Sequence, residues 1–83
     1  MAKILVEIFV PAAKSSFDTY IPEEMKVSDA IKLLSKMINE LSVGYYITGN
    51  DTVLCDRKTN EILDINMSVY ELGIINGSKL MLI

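Results

Sequence analysis

Eighty-three residues, 51% apolar and 23% charged, are enough for one domain over residues 1–83 and too few for a second core, and this usage excludes a disordered or collagen-like chain. The formal charge is −3, and the eight Lys and Arg are scattered apart from the pair Arg57-Lys58. Such a surface repels phosphate backbones rather than releasing their counterions, so nucleic acid and anionic membrane are poor partners.

Residues 3–10, KILVEIFV, place Ile4, Val6, Ile8 and Val10 on one alternating face and Lys3 and Glu7 on the other. A period of two predicts a strand. Pro11 removes a backbone donor and ends it, AAKSS forms a polar connection, and FDTYI alternates again up to Pro22. From Val27 the period changes, because Val27, Ile31, Leu34, Ile38 and Leu41 recur at spacings of three and four. That spacing predicts an amphipathic helix, with Ser28 as its cap, Asp29 at the positive end of its dipole and Gly44 as a left-handed exit.

GYYITGND then reads as a loop, TVLCD as a strand, RKTN as a turn and EILDI as a short strand or extended piece. Ser68 to Leu72 suit one helical turn broken by Gly73, and Asn76-Gly77 makes the tight turn that launches SKLMLI. A hairpin, one helix and a return to the same sheet require a right-handed crossover, and one helix covers one sheet face. The expected architecture is α+β: a mixed sheet of four to five strands on one main helix, with the first and last strands parallel at its centre.

The segment SVYELGIINGSKLMLI, with Leu72-Gly73-Ile74 followed by Asn76-Gly77 and a last strand reaching Ile83, resembles the ending of ubiquitin-like β-grasp proteins. More narrowly it resembles the YukD/EsaB family, small ubiquitin-like proteins associated with type VII secretion in Gram-positive bacteria. The resemblance implies a cytoplasmic protein-binding module without chemistry of its own.

The residues agree with that absence of chemistry. There is no His, which removes the usual general base and the commonest transition-metal ligand. One cysteine cannot hold the iron-sulfur cluster that some β-grasp proteins carry, and Cys55 in an apolar strand suits a small core residue better than a nucleophile. Glu23-Glu24, Asp56, Glu61 and Asp64 lack calcium-loop spacing, and GYYITGN lacks the lysine of a phosphate loop. No catalytic residue, metal or cofactor is expected. The last glycine, Gly77, precedes the final strand, so the flexible diglycine tail of a conjugating modifier is not expected either.

A single cysteine, no leader pattern in residues 1–25 and no apolar run near the roughly 20 residues of a membrane span point to a cytoplasmic chain without membrane insertion. Alternation turns Leu5 and Phe9 to the sheet face opposite the helix, with Met81 and Ile83 of the last strand and Tyr20 of the second. These five are the expected protein-binding residues, as an apolar patch rimmed by Lys3, Glu7 and Lys79. The facing of the third strand is undecided, since Val53 and Cys55 or Leu54 suit the inside equally. The expected function is a non-catalytic, non-conjugating adaptor whose partner is a membrane component or ATPase of a type VII-like secretion system. The alternative is a cofactor-free regulatory subunit of a multicomponent bacterial enzyme such as an oxygenase, and a homodimer through the same patch is compatible with both.

Overall fold

A computed structural model describes residues 2–41 and 52–83. Strand β1 runs Lys3–Val10, as its alternation predicts, and Pro11–Ala13 form a single 3-10 turn. Lys14 (φ 53°) leads from that turn into β2, Ser15–Pro22. Helix α1 is Val27–Leu41, β3 is Leu54–Asp56 and β4 is Ser78–Leu82. The sheet order is β2-β1-β4-β3, with β1 antiparallel to β2, parallel to β4, and β3 antiparallel to β4. The central parallel pair is the expected one.

Helix α1 covers one face of this sheet, and Val27, Ala30, Leu34 and Ile38 are its buried stripe. Val27, Leu34 and Ile38 meet Ile4, Val6, Ile8 and Val10 of β1, Ile21 of β2 and Leu80 and Leu82 of β4 in one cluster. Ala30 lies deeper than Ile31, which is only half-buried, because a small residue lets the helix approach the sheet closely. Gly44, the loop GYYITGND and the side chain of Leu41 lie outside the described residues.

Ser28 does not cap the helix. It is the second helical residue, and the first free amides are satisfied from across the chain instead: Val27 N–H donates to Met67 O at 2.9 Å and Ser28 N–H to Ile65 O at 3.1 Å. A backbone carbonyl brought in by residues 64–68 does what a side-chain cap would do. The same segment is fastened further along, since Val69 N–H donates to Met25 O and Tyr70 N–H to Glu23 O.

The turn at residues 68–72 carries its own reciprocal cap. Ser68 N–H donates to Glu71 Oε1 at 2.9 Å, and Glu71 N–H donates to Ser68 Oγ at 3.1 Å. The Ser68 amide, followed by the Ser68 side chain, holds the Glu71 carboxyl below its ordinary range, with a smaller attraction from Lys26; desolvation opposes them. A lowered folded-state value means that this contribution to stability is present above the unfolded-state value and is lost as the pH falls through the folded one. Carboxyl-detected NMR titration should find Glu71 titrating below the ordinary glutamate value, and Ser68→Ala, which removes the hydroxyl but keeps the amide, should raise it only part of the way back.

The third strand is shorter than expected, and of the two readings of EILDI the extended piece holds rather than the strand. It makes an isolated bridge between Ile62 and Cys55, because the 57–60 turn brings the chain back beside β3 for one pair before residues 64–68 divert to the helix start. Among the described residues, no helix is long and apolar enough to cross a membrane.

Candidate functional site

Alternation along β1 and β4 divides their side chains between two faces, and the burial agrees with it. Leu5, Glu7 and Phe9 are half-buried on the face away from the helix, while their neighbours in sequence are in the core. Met81 is half-buried and Ile83 is 50% exposed, beside Leu80 and Leu82 at 0%. Tyr20, opposite Leu5, is 62% exposed.

The register arranges this outer face in rows across the strands. Phe9 pairs with Met81, Met81 with Cys55, and Cys55 with Ile62, so three strands and one bridged residue contribute to one apolar row. Val53 and Ile83 extend it, each donating its N–H to the other's carbonyl at 2.7 and 3.0 Å. The next row is charged: Asp18 pairs with Glu7, Glu7 with Lys79, and the Arg57 N–H donates to Lys79 O. Tyr20 and Leu5 lie beyond it. The charges therefore run through the expected patch rather than around it, with Leu5 and Tyr20 on one side and Phe9, Met81 and Ile83 on the other. Residue 7 shares a face with residues 5 and 9, so a charge there necessarily comes between them.

Arg57 is the member of this face that sequence patterning missed. It follows β3 in a turn tied by Asp56, whose Oδ1 accepts from Lys58 N–H at 2.8 Å and Thr59 N–H at 3.3 Å, while Asn60 takes the left-handed conformation. That turn lays the guanidinium over Phe9, its central carbon 4.5 Å from the ring centroid, with Nη1 3.5 Å from Glu7 Oε2. Both partners of the ion pair are partly exposed, so the contact contributes at most about 1 kcal/mol and mainly positions the side chain. The only sequence signal was the Asp-x-x-x-Asn turn.

Cys55 settles the facing of the third strand. Leu54 pairs with Leu82 in the core, and Cys55 faces the other way, opposite Met81. It is nonetheless 3% exposed, and burial pushes its thiol above the ordinary value, which makes it a poor nucleophile at neutral pH. Maleimide labelling should be slow in the native protein and fast after denaturation; equal rates would show that Cys55 is accessible. Among the described residues no group of three or more His, Cys, Asp or Glu is placed to hold a metal ion.

At the far end of the face the turn at Asn76-Gly77 locks β4 to β1. Gly77 has φ 88°, a conformation that side chains rarely adopt, and Ser78 N–H donates to Ile75 O at 3.0 Å. Asn76 Oδ1 accepts from Leu5 N–H at 2.7 Å, and Gly77 N–H donates to Leu5 O at 2.8 Å. Both bonds hold Leu5 in place at the end of the parallel pair.

A mixed sheet with its first and last strands parallel at the centre, curled over one helix, is the ubiquitin-like β-grasp fold, and this chain has it. The ubiquitin-like domain of EccD5 from Mycobacterium xenopi superposes with a TM-score of 0.82 at 20% identity, covering 100% of this chain and 94% of that one. The ubiquitin-like domain of the Mycobacterium tuberculosis type VII secretion system protein EccD1 gives 0.69 at 17%, covering 100% and 99%. A protomer of the ESX-3 core complex gives 0.75 at 10%, with 99% of this chain matched to 16% of that much longer one. At these identities the likeness establishes the fold. No family model and no curated protein matches the sequence.

Proposed function

We propose that this chain acts over residues 1–83 as a non-catalytic ubiquitin-like adaptor, binding a protein of a type VII-like secretion apparatus on its cytoplasmic side. The observation that carries the reading is the outer sheet face. There Phe9, Met81 and Ile83 form an apolar row, with Met81 half-buried, Ile83 half exposed and Phe9 under the Arg57 guanidinium, beside the Glu7–Arg57 ion pair and Lys79. An apolar centre flanked by fixed charges suits a protein partner, with affinity from the row and orientation from the charges. Leu5 and Tyr20 complete the surface on the other side of the charged row.

The choice of apparatus is supported by the likeness to ubiquitin-like domains of EccD proteins, one of them described as belonging to a type VII secretion system, and by the YukD/EsaB-like ending. The occurrence of a similar fold within a protomer of a core complex favours a role in assembly rather than in catalysis. The test is affinity capture from cytoplasm and solubilised membrane with the wild-type protein and Met81→Glu side by side. Secretion components recovered by the wild type alone support the reading. Capture of a metal-containing oxidoreductase instead would transfer the same surface to an enzyme's regulatory subunit.

A further inference from the structure

Among the described residues strand β2 is an edge of the sheet, and two sets of hydrogen bonds establish which of its backbone groups are left over. Glu23 N–H donates to Ala2 O at 3.0 Å, one step beyond the Lys3 and Pro22 pair, so bonded pairs with β1 continue at residues 21, 19, 17 and 15. Leu5, opposite Tyr20, makes its bonds on the other side, to Gly77 and Asn76. The N–H groups of Ser16, Asp18 and Tyr20 therefore point away from the sheet.

Natural edges are usually blunted by a bulge, an internal lysine or proline, or short length. Here eight residues pair without a bulge, contain no lysine, and meet proline only at the last position. Phe17, Leu33 and Met37 are partly buried apolar groups packed against the core, and the Thr19 hydroxyl lies 3.9 Å from Met37 Sδ, which places helix α1 alongside this edge. The arrangement is a row of backbone donors above an apolar shelf.

Asp18 decides what fits. Its cross-strand partner is Glu7, a like charge, and only Glu7 has an ion-pair partner among the described residues, Arg57. Pairing with a second copy is disfavoured. Of the two longest two-fold registers that match the outward amides, one sets Asp18 against Asp18, and the other sets Ser16 against Pro22, which has no N–H. We propose that β2 takes up an extended segment of another protein as a fifth strand, with Lys or Arg facing Asp18 and β-branched or other apolar residues between, facing Phe17 and Met37. The backbone supplies the register and the charge supplies the selection. This site is separate from the Phe9, Met81 and Ile83 row.

The probe is a short synthetic peptide of alternating valine and lysine, compared with the same peptide carrying glutamate for lysine, against the whole chain. The lysine peptide should slow hydrogen exchange saturably at the amides of Ser16, Asp18 and Tyr20 and bind at least about tenfold more tightly than the glutamate peptide. Asp18→Lys should reverse that order, and Met81→Glu should leave it unchanged. The proposal is overturned if those amides stay unprotected up to the solubility limit of the peptide, or if Asp18→Lys leaves the preference as it was. Protection that rises with protein concentration in the absence of peptide would also overturn it, by making a second copy the occupant.

Discussion

Leu80→Ala should lower the stability of the protein by about 2–5 kcal/mol, the range for a leucine truncated in a core that cannot close over the gap. Leu80 is 0% exposed on β4, paired with Ile8 of β1 on one side and Asp56 of β3 on the other. Hydrogen-bonded strands on both sides prevent β4 from shifting to fill the cavity. A domain of this size has a total stability on the order of 4–12 kcal/mol, so the variant would approach the limit of folding at body temperature. Chemical denaturation followed by circular dichroism measures it: a fall in midpoint with an unchanged slope is expected. A loss below about 1 kcal/mol would mean that the core is not built on this strand.

The neighbouring residue should behave in the opposite way. Met81→Glu is expected to leave the unfolding midpoint within about 1 kcal/mol of the wild type, since position 81 already borders solvent and stands in the row next to that of Arg57 and Lys79. Its effect belongs to binding. A carboxylate in the middle of the Phe9, Met81 and Cys55 row would have to lose its hydration against an apolar partner surface, and central interface residues of this kind commonly carry about 2 kcal/mol or more. Association with the captured partner should weaken at least tenfold, about 1.4 kcal/mol. Unchanged capture would be incompatible with the sheet-face reading, and so would loss of cooperative unfolding, because Met81 would then be a core residue.

Two adjacent positions with opposite outcomes express the pleat of a strand, and that part of the protein was legible in the chain. Alternation in KILVEIFV and SKLMLI is enough to separate Ile8 and Leu80 from Phe9 and Met81, because successive side chains on a strand must face opposite ways. The change to a period of three and four marks the helix at Val27, and Asn76-Gly77 marks the turn before β4. Local periodicity and local turn chemistry are properties of neighbours in sequence, and both elements and facing follow from them.

What only the tertiary structure decided lies between residues far apart in the chain. The helix start is satisfied by carbonyls of Ile65 and Met67 rather than by Ser28, and Arg57 covers Phe9 and meets Glu7 across 50 residues of sequence. Cys55 lies on the outer face yet is buried because Ile62 returns beside it, and the charged row from Asp18 to Arg57 exists only in the register of three strands and the turn after β3. No periodicity encodes these pairings. They are set by which strands hydrogen-bond and in what register, a choice made by the packing of the whole core, and so the map of the outer face and the open edge at Asp18 emerged only once the sheet was assembled.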